Sequence, residues 1–191
     1  MHTVYRNHFD MLIANRALGY APQRTCGGFR ISMSNWEQTG DGSVQLSVDD
    51  ALKWDENFYH PRVGGETMVD ELEQRGTLTN GDSIGYGRGL FLDTYTYRGL
   101  RRVQHGGDWI GYHAAYARYR EQHTSVIVLC NSDGISPEGM DDRVADIVLA
   151  KAFTAAKPNA PTPRRLWKSE SGERPAATLC KYTQNRPLMD T

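Results

Sequence analysis

His105, Gly106, Gly107 and Asp108 are the residues of this chain best suited to chemistry. An imidazole can hold an anionic group or pass a proton near neutral pH. Glycine lacks the Cβ that would keep a ligand's backbone away, so paired glycines beside a histidine invite close approach. The tripeptide is expected where one strand, Leu100 to Gln104, ends and Asp108-Trp109-Ile110-Gly111 leads into a second.

Other reactive residue types do not group. Cys26, Cys130 and Cys180 are odd in number and widely spaced, which argues against a disulfide framework, and Cys130 reads as a small buried hydrophobe in an apolar strand. His2, His8, His60, His105, His113 and His123 show no metal-ligand spacing, so neither a metal nor any other cofactor is expected. With 22 basic and 23 acidic residues the formal charge is −1, which gives no broad field for nucleic acid or an anionic membrane. Arg98, Arg101 and Arg102 read as a solvated strand or turn. No apolar run approaches a membrane span, and the first residues lack the pattern of a signal peptide.

The elements that must position His105 follow from pattern. At 191 residues and 39% hydrophobic content the chain suffices for one core of ordinary size. Residues 1 to 46 read as irregular structure with short strands. Ser47 caps a helix, with Asp50 reaching back as a shortened capping box and Val48, Ala51, Leu52 and Phe58 on its inward face. A second helix is expected from Glu66 to Arg75, with Met68, Val69 and Leu72 inward and Gly76 as C-terminal cap. From Ser83 to Asn131 the alternation predicts successive antiparallel strands, including Ile84, Tyr86, Leu90, Leu92 and Tyr95. Val126 to Cys130 reads as a strand covered on both faces. Ser136-Pro137-Glu138 opens a last helix, to Ala156, with Met140, Val144, Ile147 and Val148 as its apolar stripe. Residues 157 to 191 form a Pro-rich linker and an extended or disordered tail, which leaves residues 1 to 156 as the domain. Trp167 and Tyr182 could dock locally. The fold class is mixed α/β (α+β), an antiparallel sheet flanked by helices.

Four segments in order resemble the serine β-lactamase-like and penicillin-binding-protein-like family, which includes class C β-lactamases, DD-peptidases and esterases. They are Asn15-Arg16-Ala17-Leu18-Gly19-Tyr20; Gly40-Asp41-Gly42-Ser43 with the helix from Ser47; Tyr86-Gly87-Arg88-Gly89-Leu90; and His105-Gly106-Gly107 with the strand ending in Leu129-Cys130-Asn131. The resemblance covers about residues 1 to 155 and implies the C-terminal part of a β-lactamase/transpeptidase-like fold. It also shows what is missing. No serine here has lysine three residues later, and Tyr5-Arg6-Asn7 fits the family's Tyr-x-Asn in letters only, at the wrong place, so it reads as surface or packing.

The resemblance implies acyl transfer by a serine supplied from a missing N-terminal half, on an amide, β-lactam or ester. His105 would be the catalytic group where many relatives have Lys, Gly106 and Gly107 would let a small-molecule or peptide substrate run along the strand, and the N–H of Asp108 would form half of an oxyanion hole. A Gly at the middle position removes a hydroxyl that could grip a β-lactam carboxylate, which favours an esterase or peptidase. The Asp108 carboxylate either repels anionic substrates or points to solvent. If the intact protein follows its family, it is periplasmic or secreted. The alternative is a non-catalytic truncated half-domain or pseudoenzyme.

Overall fold

The computed structural model describes residues 3–153 except 6, 7, 9, 26, 34–41 and 93–95. The expected Gly40-Asp41 turn, Tyr95, Cys26, Cys180 and the whole of 157 to 191, with Trp167 and Tyr182, lie outside the described residues.

Four short strands open the chain in two antiparallel pairs, β1 (Val4–Tyr5) with β4 (Val44–Gln45) and β2 (Tyr20–Pro22) with β3 (Phe29–Ile31). Helices α1 (Val48–Glu56) and α2 (Gly65–Leu72) follow. Then come β5 (Val103–Trp109), β6 (Tyr112–Tyr119) and β7 (Thr124–Cys130), and last α3 (Pro137–Val148). The principal sheet has the order β5-β6-β7, antiparallel throughout, so β5 is an edge strand. No helix among the described residues is long and apolar enough to cross a membrane.

Side-chain alternation gives this sheet two faces. On one, Val103 packs with Phe58, Val69, Leu90 and Leu92, beneath the helices α1 and α2. On the other, Ala117, Tyr119 and Val126 pack with Ala145 and Leu149 at the end of α3. Arg118 crosses into the first layer with no solvent exposure at all. Its Nε donates to Asp55 of α1 at 2.8 Å and its Nη1 to Glu73, just past α2, at 3.2 Å. Its guanidinium lies 3.3 Å over the Phe58 ring, and Ser125 of β7 donates to the same Asp55 oxygen at 2.8 Å. The Tyr116 hydroxyl also donates to that oxygen, and burial pushes the phenol well above its ordinary range.

Several expectations need correction. Ser47 does cap α1, accepting from the Asp50 N–H at 3.2 Å, but the Asp50 carboxylate accepts from Thr3 and Lys53. The face of α1 that turns inward carries Asp50, Asp55 and the following Phe58, while Val48 and Leu52 are exposed. The inward face of α3 is Pro137, Asp141 and Ala145, and Met140, Val144, Ile147 and Val148 face outward. Both helices therefore bury carboxylates, which an apolar stripe does not reveal. α2 stops at Leu72, and Gly76 serves a bridge to the Tyr86 carbonyl instead of a cap. Ile84 to Leu92 is a loop joined by isolated bridges, with no continuous strand. Among the arginines, Arg102 is 9% exposed, pairing with Asp142 at 2.8 Å, and Arg98 pairs with Asp146 at 2.6 Å; they clamp α3 to the sheet. Cys130 is only half-buried.

Asp141 is 2% exposed and its Oδ1 has no hydrogen-bond partner. Burial pushes its carboxyl from the ordinary 3.8 up to about 6, against the opposing pull of Arg102. A raised carboxyl value means that the folded state holds a proton the unfolded chain has released. Stability therefore falls as pH rises from about 4 to about 6 and stays reduced above that window. Asp141→Asn is expected to raise stability at about pH 7.5 by about 1–3 kcal/mol and to change it little at about pH 4. Urea melts of both proteins at the two pH values check this; equal curves at about pH 7.5 would mean that the carboxylate is solvated.

Candidate active site

The strand β5 runs through His105-Gly106-Gly107 and on to Trp109, so the motif lies within a strand and not at its end. The hairpin turn is Ile110-Gly111, between the paired residues Trp109 and Tyr112. In a two-residue hairpin the flanking pair exchanges both backbone bonds, and alternate pairs leave theirs pointing away. His105, Gly107 and Trp109 thus bond inward to β6, whereas Gln104, Gly106 and Asp108 turn their N–H and C=O outward. Gln104 confirms the phase, since its N–H and C=O both bond outward to Phe91, at 3.1 and 2.8 Å. Beyond Phe91, the N–H groups of Gly106 and Asp108 face the open edge of the sheet, and residues 105 to 109 are all exposed.

The two glycines are there for different reasons. A Cβ on Gly106 would come within 3.3 Å of both the Ala114 carbonyl and the Glu138 carboxylate at the start of α3. A Cβ on Gly107 would meet only Ala114, at an ordinary 3.6 Å, on the same face as His105. Packing explains the first glycine, whereas the second has room for a methyl group in ordinary contact with Ala114. Asp108 shares its face with His113, not with His105: its Oδ1 lies 3.2 Å from His113 Nδ1, and His113 Nε2 lies 3.4 Å from Asp133. The Asp108 carboxylate, 79% exposed, is therefore turned away from the imidazole of the motif.

His105 is partnered at both nitrogens. Nδ1 is 2.6 Å from the Gly106 carbonyl and Nε2 is 3.0 Å from the Tyr86 hydroxyl. Phe91 stacks on the imidazole at 5.4 Å, and Tyr86 meets Phe91 edge-on at 4.9 Å. Tyr86 is held by its carbonyl, which accepts from Gly76 N–H at 2.8 Å, and by Gly87, whose missing Cβ would stand 2.5 Å from the Leu72 carbonyl. Sequence reasoning singled out the Tyr86 segment but did not set it against His105. The signal was the glycine at 87, which lets the loop press on the end of α2.

A backbone knot fixes the hairpin. Gly111 has φ +74, the only positive φ in the turn, as in the type II form that matches strand twist poorly. Its N–H donates to Asp133 Oδ1 at 2.6 Å, while Ser32 donates to Asp133 Oδ2 at 3.1 Å and, through its N–H, to the Gly19 carbonyl at 2.8 Å. The Tyr112 hydroxyl donates to the Ala17 carbonyl at 2.6 Å and Asn131 donates to the Leu18 carbonyl at 2.9 Å. The Asn15-to-Tyr20 segment is thus the cradle of the turn that ends the motif strand.

No protein-family model matches the chain. It is 30% identical over 94 residues to penicillin-binding protein 4* of Bacillus subtilis, covering 49% of this chain and 21% of that one. It is 27% identical over 126 residues to a D-aminopeptidase of Brucella ovis, covering 65% and 24%. The chain therefore spans roughly a fifth to a quarter of the length of these curated relatives. Among solved structures it is similar to an octameric penicillin-binding protein homologue from Pyrococcus abyssi, with TM-score 0.60 and 22% identity over 70% of this chain and 31% of that one. It is also similar to a penicillin-binding protein from Bacillus halodurans, with TM-score 0.58 and 20% identity over 80% and 44%. The antiparallel sheet with helices on both faces matches the fold of these structures.

The glycine geometry predicts two opposite outcomes. Gly107→Ala is expected to leave stability within about 1 kcal/mol of the parent, because its Cβ meets only an ordinary contact. Gly111→Ala is expected to cost at least about 2–3 kcal/mol, since its Cβ would sit 2.0 Å from the Ser32 carbonyl at a left-handed φ. Thermal melts of the two variants check the pair, and equal losses would show that the knot does not hold the turn.

Proposed function

We propose that the chain, which is similar to penicillin-binding proteins and a D-aminopeptidase, supplies the strand-edge half of a serine acyl-transfer site of the penicillin-binding-protein and β-lactamase-like family. The observation that carries this reading is the open edge of β5, where the N–H groups of Gly106 and Asp108 look outward beside an exposed imidazole. An extended substrate can add to such an edge as a further strand, with main-chain bonds giving affinity. Gly107, which carries no Cβ and is exposed, lets it lie close.

In this reading the substrate is an amide or ester carbonyl, and the serine with its lysine comes from a complementary first half, because no serine of this chain has lysine three residues on. The serine oxygen attacks the carbonyl carbon, and the negative charge that develops on the carbonyl oxygen is received by the Asp108 N–H together with the nucleophile's own N–H. Collapse expels the leaving group and forms an acyl-enzyme, which water hydrolyses. His105 stands over the same stretch of strand and takes part in proton transfer through the Tyr86 hydroxyl at its Nε2. The Asp108 carboxylate, turned towards His113, is no obstacle to an anionic substrate on His105's face. The second reading, a chain that is non-catalytic by itself, is favoured by the absence of a Ser-x-x-Lys dyad and is compatible with the first.

The isolated 191-residue chain is expected to remain unlabelled by a fluorescent penicillin or a fluorophosphonate, and to leave a chromogenic β-lactam and a short-chain ester unhydrolysed. Stoichiometric labelling of one of its serines overturns this. Joined to a first half that carries Ser-x-x-Lys, the protein is expected to become active. There His105→Ala should lower kcat/KM roughly ten- to a thousand-fold, while His105→Lys retains much of the activity. A joined enzyme whose rate is indifferent to His105→Ala across about pH 5 to 8 would make His105 merely structural.

A further inference from the structure

We propose that Tyr86 is the positioning residue of His105: its phenol at Nε2 and the Gly106 carbonyl at Nδ1 fix the neutral imidazole as the Nδ1–H tautomer. The Gly106 carbonyl oxygen, 2.6 Å from Nδ1, can only accept, so Nδ1 carries the hydrogen. A neutral ring then has its lone pair at Nε2, and the Tyr86 hydroxyl 3.0 Å away, which can donate or accept, must donate. Without such partners an imidazole divides between both tautomers.

Ring packing supports the same arrangement. Phe91 stacks on His105 with 21° between the planes and receives the Tyr86 ring edge-on, so the three rings form one cluster. Phe91 is itself pinned by both backbone bonds to Gln104, the residue before His105. Any shift of the loop would therefore break the stack and the phenol contact together. The exposed edge needs such a clamp, because His105 has open solvent on its free side.

The functional consequence, which rests on the acyl-transfer reading above, concerns what Tyr86 offers a substrate at the open edge of β5. With His105 neutral, the phenol hydrogen is committed to Nε2 and Tyr86 presents only lone pairs. A proton added at Nε2 reverses the bond: the imidazolium N–H donates to the phenol oxygen, and the phenol hydrogen turns outward as a donor. No bond at Nδ1 changes. Tyr86 thus converts the charge of His105 into a change of polarity one residue farther out.

The test uses the intact 191-residue chain and needs no activity, so its outcome is separate from that of the acyl-transfer reading. Nitrogen-15 NMR of labelled histidine at about pH 8.5, above the ordinary imidazole range, reports which ring nitrogen of His105 carries hydrogen. The expected spectrum shows a protonated Nδ1 and a lone pair at Nε2. Tyr86→Phe keeps the ring, removes the donor at Nε2 and leaves the Gly106 carbonyl at Nδ1, so Nδ1–H should stay the major form while the Nε2 resonance moves downfield towards that of a lone pair without a donor. A parent spectrum dominated by Nε2–H overturns the proposal whether or not the variant folds. So does a folded Tyr86→Phe protein whose Nε2 resonance is unchanged.

Discussion

A fully buried guanidinium sets the terms for this fold. Arg118 cannot shed its charge, and removing an ion from water costs several kcal/mol unless partners surround it. Asp55 and Glu73 are those partners, so α1 and the segment after α2 must both sit against β6, and Ser125 draws β7 to the same carboxylate. The requirement reaches as far as the imidazole. Glu73 follows Leu72, whose carbonyl is where the loop of Gly87 presses, and that loop carries Tyr86 to His105. One buried charge thereby fixes the distance between a helix end and the open edge of the sheet.

Much of the fold was legible because it rests on local rules. Ser47 is a cap whose hydroxyl meets the N–H groups that a helix leaves free, and Pro137 fits a first helical turn, so α1 and α3 begin where the residues say. What periodicity could not tell was which face of each helix meets the sheet. An apolar stripe marks burial only when the inward face is apolar. Here Asp50, Asp55 and Asp141 take the inward places, and two of them answer cations: Asp55 pairs with Arg118 and Asp50 with Lys53, whereas Asp141 leaves an oxygen unpartnered. The Asp55–Arg118 pair joins residues 63 apart in the chain and leaves no trace in local spacing, whereas Asp50 and Lys53 are neighbours at i,i+3 on the same helix.

The site divides along the same line. His105, Gly106, Gly107 and Asp108 could be picked out because glycine next to an ionisable ring is chemically informative wherever it falls. Ending the strand before the motif hid the alternation that sends the Asp108 carboxylate to His113 and the Gly107 space to His105. With the strand extended to Trp109, those directions follow from a period of two. Tyr86 was beyond reach for another reason: its position comes from isolated bridges and from Gly76 and Gly87, loop geometry that hydrophobic pattern does not encode.

The turn at Ile110-Gly111 has a consequence for the order in which this molecule assembles. Tight hairpins usually form early, since their two strands meet across a few residues and the turn itself favours the crossing. This one has a form that does not, and its supports come from Asp133, Ser32, Gly19 and Ala17, with Tyr112 and its Ala17 partner 95 residues apart. Closing loops of that length is costly in chain entropy before any contact repays it. The outer end of β5, with the N–H of Asp108, therefore becomes ordered late in folding and opens early in local unfolding. Amide hydrogen exchange will be faster there than at Ala117 or Val126 in the middle of the same sheet.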